Sequence, residues 1–139
     1  MLLTVSKRLE FSASRRLFVP DWSDQENLIA FGPETRARYG TGRNYVAYFV
    51  FTGPVNPTTG MLINISKIKE RAGEVVAKKF DHKFLNDLAP FDVINPSAEN
   101  MAKFFYDETS RQIGPALHGP RITSITVWET DETSATYTP

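Results

Sequence analysis

Asp81 and His82 stand side by side, and a carboxylate beside an imidazole is a common acid–base arrangement. Adjacent residues on an extended chain point apart, so a direct pair needs a bend; otherwise the two close local hydrogen bonds at a helix end. Glu129 follows Ile125 and Val127 on one face of an alternating segment, so a carboxylate ends an apolar stripe. If buried, it needs partners or a proton, and it can accept two N–H bonds from a ring edge; if it lies beyond the strand, it faces water. Arg15 and Arg43 carry guanidinium groups, which stay protonated and can hold a carboxylate, phosphate or enolate oxygen through forked hydrogen bonds. The competing reading is a pair of arginines tied up in salt bridges. Thr41 offers a hydroxyl in a turn before Gly42. Ser97 is an N-cap residue with Glu99 in the following turn, at the helix end that favours anions. Arg36, Arg38 and His118 sit in loops and read as solvated.

The composition narrows the classes. A chain of 139 residues with 41% hydrophobic and 12% aromatic content can bury a core. Sixteen acids balance sixteen bases, which gives no pull toward nucleic acid or a membrane surface. No apolar run is long enough to span a bilayer, and the start, Met1 to Lys7, charges too early for a signal peptide. Cysteine is absent, which removes disulfides, thiolate ligands and a cysteine nucleophile. A cytoplasmic protein of one domain, 1–139, is the expectation.

Residues 2 to 13 read as a strand, and 15 to 42 as a long irregular loop. Residues 43 to 53 alternate clearly, with Tyr45, Ala47, Phe49 and Phe51 on one face and Val46, Tyr48 and Val50 on the other. Both faces are apolar, so both need cover. After the turn Asn56 to Gly60, residues 61 to 63 resume extended structure. Ile65, Ile68, Ala72, Val75, Val76 and Lys79 then recur at helical spacing up to Phe80. A second connection spans 81 to 96, and a second helix runs from Ser97 to Gly114 with Met101, Phe104 and Phe105 as its apolar stripe. Residues 121 to 129 and 134 to 138 are strands. The order ββααββ predicts an α+β fold, a four-stranded antiparallel sheet with two helices on one face. The other face would be covered by copies of the same chain.

Several segments together resemble the 6-pyruvoyltetrahydropterin synthase family, which includes the 6-carboxytetrahydropterin synthases. Phe11 to Leu17 is similar to the family's F-S-A-S-H-R-L, and Thr41 to Tyr45 to its H-G-H-N-Y, with Arg15, Thr41 and Arg43 in the histidine places. Asn56 to Met61 resembles D-P-x-T-G-M, Phe80 to Asn86 resembles L-D-H-K-x-L-N/D, Ser97 to Asn100 resembles P-T-x-E-N, and Val127 to Thr130 matches V-x-E-T. The resemblance covers nearly the whole chain. It implies the tunnelling fold, trimers or hexamers, and sites between subunits. It also implies that the ring anchor falls on Glu129, the assisting pair on Asp81 and His82, and a base on Glu34, where the family has cysteine or, in one branch, glutamate. Ser97 and Glu99 fall where the family touches the ring.

The family histidines hold zinc, and guanidinium groups cannot. No metal or cofactor is therefore expected, and zinc-dependent pterin synthesis is disfavoured. Read this way, the chain is a repurposed, lyase-type enzyme for elimination, cyclisation or tautomerisation of an anionic, pterin-like or other conjugated small molecule. Asp81, His82 and Glu34 would be its acid–base groups, and Glu129, Arg15, Arg43, Ser97, Glu99 and Thr41 its substrate contacts. The alternative is an inactive pterin- or purine-binding pseudoenzyme. Neither reading involves nucleic acid or a membrane.

Overall fold

Alternation of apolar and polar residues writes the first two strands. β1 (Leu2–Arg15) turns Phe11, Ala13 and Arg15 inward and Ser12 and Ser14 outward. β2 (Thr41–Pro54) buries Tyr45, Ala47, Phe49 and Phe51 on the same side. They pair antiparallel without a break, from Leu2 opposite Pro54 to Arg15 opposite Thr41. Each therefore runs two residues further toward the shared end than alternation predicts, which carries Arg15 and Thr41 into the sheet. The computed structural model describes residues 2–117 and 119–139; the side chains of Ile65, Lys69 and Ala116 are outside the description. Met1, His118 and the Ile65 position of the helical stripe thus lie outside the described residues.

Two helices cover the inward face, as expected. α2 (Ile65–Gly73) begins at Asn64, whose side chain accepts from the Ser66 N–H, and runs on through a π turn, Glu74–Lys78. α3 (Ala98–Ile113) is capped by Ser97, which accepts from the Asn100 N–H, and buries Met101, Ala102 and Phe105. The Phe105 ring meets Phe11 and Phe80 at 5.8 Å each. Full burial of one such ring contributes roughly 1.5–3 kcal/mol, so this aromatic contact clamps helix to sheet. β4 (Arg121–Trp128) pairs with β2, with an irregularity at Val50 and Phe51. That irregularity lets Ile122 and Ile125, three residues apart, both face the core. β5 (Ser134–Tyr137) completes that edge.

The sheet has one strand more than expected. β3 (Lys83–Phe84) lies parallel to β1 beside Ala13 and Ser14, so the order is β3-β1-β2-β4-β5 and the sheet is mixed. Two residues are too few to show a period. The 15–42 segment also holds a helix, α1 (Asp24–Phe31), closed by a reciprocal Ser23–Glu26 capping box. Its burial is almost confined to Asn27, so it has no apolar stripe to read. Residues 61–63 join no strand. The outer sheet face presents Val46, Tyr48, Val50 and Trp128, each partly exposed. Among the described residues, no helix is long and apolar enough to cross a membrane.

Candidate functional site

The site forms where β1 and β2 meet and the 16–40 segment folds back over them. Asparagines pin that segment. Asn86 accepts from the Arg16 N–H and donates to its carbonyl, both at 2.8 Å. Asn95 accepts from the Phe18 N–H, and the Asn27 amide bonds both the N–H and the carbonyl of Val19. Gly40 closes the segment at φ 83°; a Cβ there would stand 2.7 Å from Phe84 and 3.0 Å from the Arg15 carbonyl. These anchors bring the 3-10 turn Gly32–Arg36, and with it Glu34, over the strand ends.

Arg15 is the hub. It is only 2% exposed. Its Nε donates to Glu34 Oε1 at 2.8 Å, its Nη1 to the Pro96 carbonyl at 3.2 Å, and its Nη2 lies 2.6 Å from Glu129 Oε2. Burial by itself pulls the Arg15 pKa down, but the Tyr45 phenol, Glu34 and Glu129 outweigh it and hold it above its ordinary value. Arg43 Nη2 lies 3.9 Å from Glu34 Oε2, so both guanidinium groups converge on one carboxylate. The Tyr45 ring lies under the Arg15 guanidinium, 5.8 Å from centroid to Cζ, and burial pushes its hydroxyl pKa up to about 12.

Asp81 and His82 lie beside this cluster. The bend needed for a direct pair is present: His82 has φ 59°, and its Nδ1 sits 3.1 Å from Asp81 Oδ2. The same place is also a helix-end turn, with Asp81 N–H bonded to Ala77 and His82 N–H to the Ser12 carbonyl. The two readings of this dipeptide therefore coexist. Asp81 Oδ1 accepts from the Ser12 N–H at 2.9 Å, and that bond, with help from His82, holds its carboxyl below the ordinary value. The imidazole is 82% exposed. It opens on a depression of about 530 Å³ whose wall also includes Arg43, Ser12, Ser14 and Asn44.

Arg15, Arg43, Glu34 and Glu129 are thus brought together, and Arg43 also borders the Asp81–His82 depression. Thr41 shares the β2 face of Arg43 and stands opposite Arg15 in the ladder. Ser97 follows Pro96, whose carbonyl Arg15 bonds, so the start of α3 adjoins the cluster; its hydroxyl is engaged as the helix cap. Glu99 is exposed in the first turn. Arg36 and Arg38 are exposed loop charges. Ser12 and Tyr45 were legible only as strand residues. Their roles come from the pairing register, which the sequence does not print.

The zinc implied by the resemblance does not fit this donor set. Zinc takes lone pairs from imidazole, thiolate or carboxylate, and a guanidinium has none to give. Arg15 already directs its N–H groups at two carboxylates and a carbonyl. Among the described residues, no group of three or more His, Cys, Asp or Glu could hold a metal ion.

Comparison with known proteins agrees with this architecture. A sequence model described as 6-pyruvoyl tetrahydropterin synthase matches residues 4–139. The human 6-pyruvoyl tetrahydrobiopterin synthase is 33% identical over 135 residues, 96% of this chain and 89% of that protein. Its Drosophila melanogaster counterpart is 36% identical over 110 residues, 78% of this chain and 65% of that protein. The solved Caenorhabditis elegans 6-pyruvoyl tetrahydropterin synthase superposes with a TM-score of 0.89 at 28% identity, covering 100% of this chain and 96% of that one. The Plasmodium vivax enzyme, at 15% identity and a TM-score of 0.69 over 99% of this chain and 97% of that one, shares the fold. On the match across residues 4–139, the chain belongs to the 6-pyruvoyl tetrahydropterin synthase family.

Proposed function

We propose that the chain is a zinc-independent, lyase-type member of its family that moves protons on an anionic, conjugated, pterin-like small molecule. The observation that supports this most strongly is a single depression that shares an Asp81-oriented His82 with Arg43. His82 takes a proton from a carbon next to a substrate carbonyl, while Asp81 holds the ring through Nδ1. The Arg43 guanidinium bonds the enolate oxygen that forms. Return of the proton to another atom completes a tautomerisation; departure of a β-hydroxyl with that proton, as water, completes an elimination. Glu129, with its side chain 20% exposed, offers an edge to ring N–H groups; Thr41 opposite Arg15 and Ser97 next to Pro96 lie at the same end, and Glu99 is a further proposed contact from the first turn of α3. Glu34, held between two guanidinium groups, is the further acid–base group in this reading. The working unit is a homo-oligomer, trimer or hexamer, in which a neighbouring subunit closes the open side of the depression.

A second reading has one observation of its own. Arg15 engages both Glu34 and Glu129, the carboxylates the resemblance names as base and ring anchor. That favours a binding module that holds a pterin or purine ring without turning it over. One experiment separates the two. Wild type, Asp81→Ala and His82→Ala are titrated with pterin and incubated with a panel of dihydropterins, with products read by mass spectrometry. The enzyme reading expects turnover by wild type, a loss of 100-fold or more in His82→Ala, and unchanged pterin affinity. Pterin binding without turnover of any panel member would favour the binding module.

A further inference from the structure

Two buried donors on β2 at this site have no acceptor. The Tyr45 hydroxyl and the Arg43 Nε–H are both shut off from solvent, and neither has a hydrogen-bond partner among the described residues. They stand two residues apart on the same face of β2. Tyr45 cannot swing its hydroxyl elsewhere: its side chain is wholly buried, its ring stacks on Phe11 at 5.1 Å with planes 20° apart, and Arg15 lies over it. A buried donor without a partner is destabilising, and native proteins keep few. A phenylalanine would fill the same volume without that cost. Both groups are donors in their prevailing protonation states, so what is missing is an acceptor. The cluster already holds the Glu34 and Glu129 carboxylates, and neither reaches these two atoms.

We infer that Tyr45 is a further ligand-binding residue: its hydroxyl and the Arg43 Nε–H each donate to an anionic substituent on the ring ligand. The inference rests on the ring-binding reading above and deepens it by saying what selects the ligand. Arg15 is committed to protein carboxylates, which leaves Arg43 as the cation for the ligand. A neutral phenol beside it adds direction. A carboxylate has an oxygen to offer each donor; an unsubstituted ring leaves them empty.

The test compares two fluorescent probes, pterin and pterin-6-carboxylate, by equilibrium titration of the full chain. Wild type should prefer the carboxylate probe. Tyr45→Phe should weaken that probe about tenfold, leave pterin unchanged, and melt at the same temperature as wild type or higher. Arg43→Lys keeps the charge but lacks the Nε–H, and it should show the same selective loss should Tyr45→Phe fold poorly. If wild type binds both probes equally, or if Tyr45→Phe and Arg43→Lys weaken neither probe or both alike, the donor pair is not a ligand subsite and the ring site stands without it. If wild type binds neither probe, the ring-binding reading fails and this inference goes with it.

Discussion

Arg15 ties three parts of the chain with one planar cation: the Glu34 turn, Pro96 just before the cap of α3, and Glu129 just past the end of β4. Breaking a buried ion network by removing one partner costs more than the network itself contributes, because charges are left stranded. Arg15→Met should therefore lower stability by about 3–5 kcal/mol in urea unfolding; a loss under 1 kcal/mol would mean that the carboxylates find water without rearrangement. Tyr45 gives a second readout. Its pKa rises from 10.0 to about 12 because burial disfavours the phenolate, so stability is unaffected by this group below pH 10 and falls as pH rises toward 12. A shift of that size corresponds to roughly 2–3 kcal/mol, and Tyr45→Phe should flatten that alkaline decline in denaturation curves. Asp81 acts at the other end of the scale. Its pKa is lowered, so the stability it adds is present above the ordinary carboxylate value and disappears as pH falls through the lowered one. Asp81→Asn should shrink the acid-side loss of stability below about pH 4. At this scale the sequence carried residue types well: Arg15, Arg43, Glu129 and the Asp81–His82 pair are all legible. Their convergence is not, because it depends on one glutamate in a segment with no periodicity.

At the scale of elements, the strands and the two covering helices follow from alternation and from the spacing of Ile68, Ala72, Val76 and Phe80, all buried. The 16–40 segment does not, since its order comes from side-chain amides rather than from apolar burial. Asn27 shows the difference. It is polar and sits on a helix with almost no apolar face, yet it is buried and holds Val19 by two bonds. Asn27→Ala should cost about 1–3 kcal/mol and speed proteolysis within 16–40, with the sheet protected in hydrogen exchange. β3 was invisible for a different reason. It is two residues long and is recruited by β1, with Asp81 and His82 bonded to Ser12 next to it.

For the whole molecule, the outer sheet face is the unfinished part. Val46, Tyr48, Val50 and Trp128 leave an apolar surface on the side without helices. Assembly with copies of the chain would cover it, so light scattering should report three or six chains per particle, and Tyr48→Glu should reduce that number without unfolding the monomer. Whether the Arg15–Arg43 guanidinium pair has displaced a metal centre is read most directly from metal content. The chain, produced in zinc-supplemented medium and dialysed, is assayed by elemental mass spectrometry. Far less than one zinc per chain is expected. One tightly held zinc per chain would contradict that expectation.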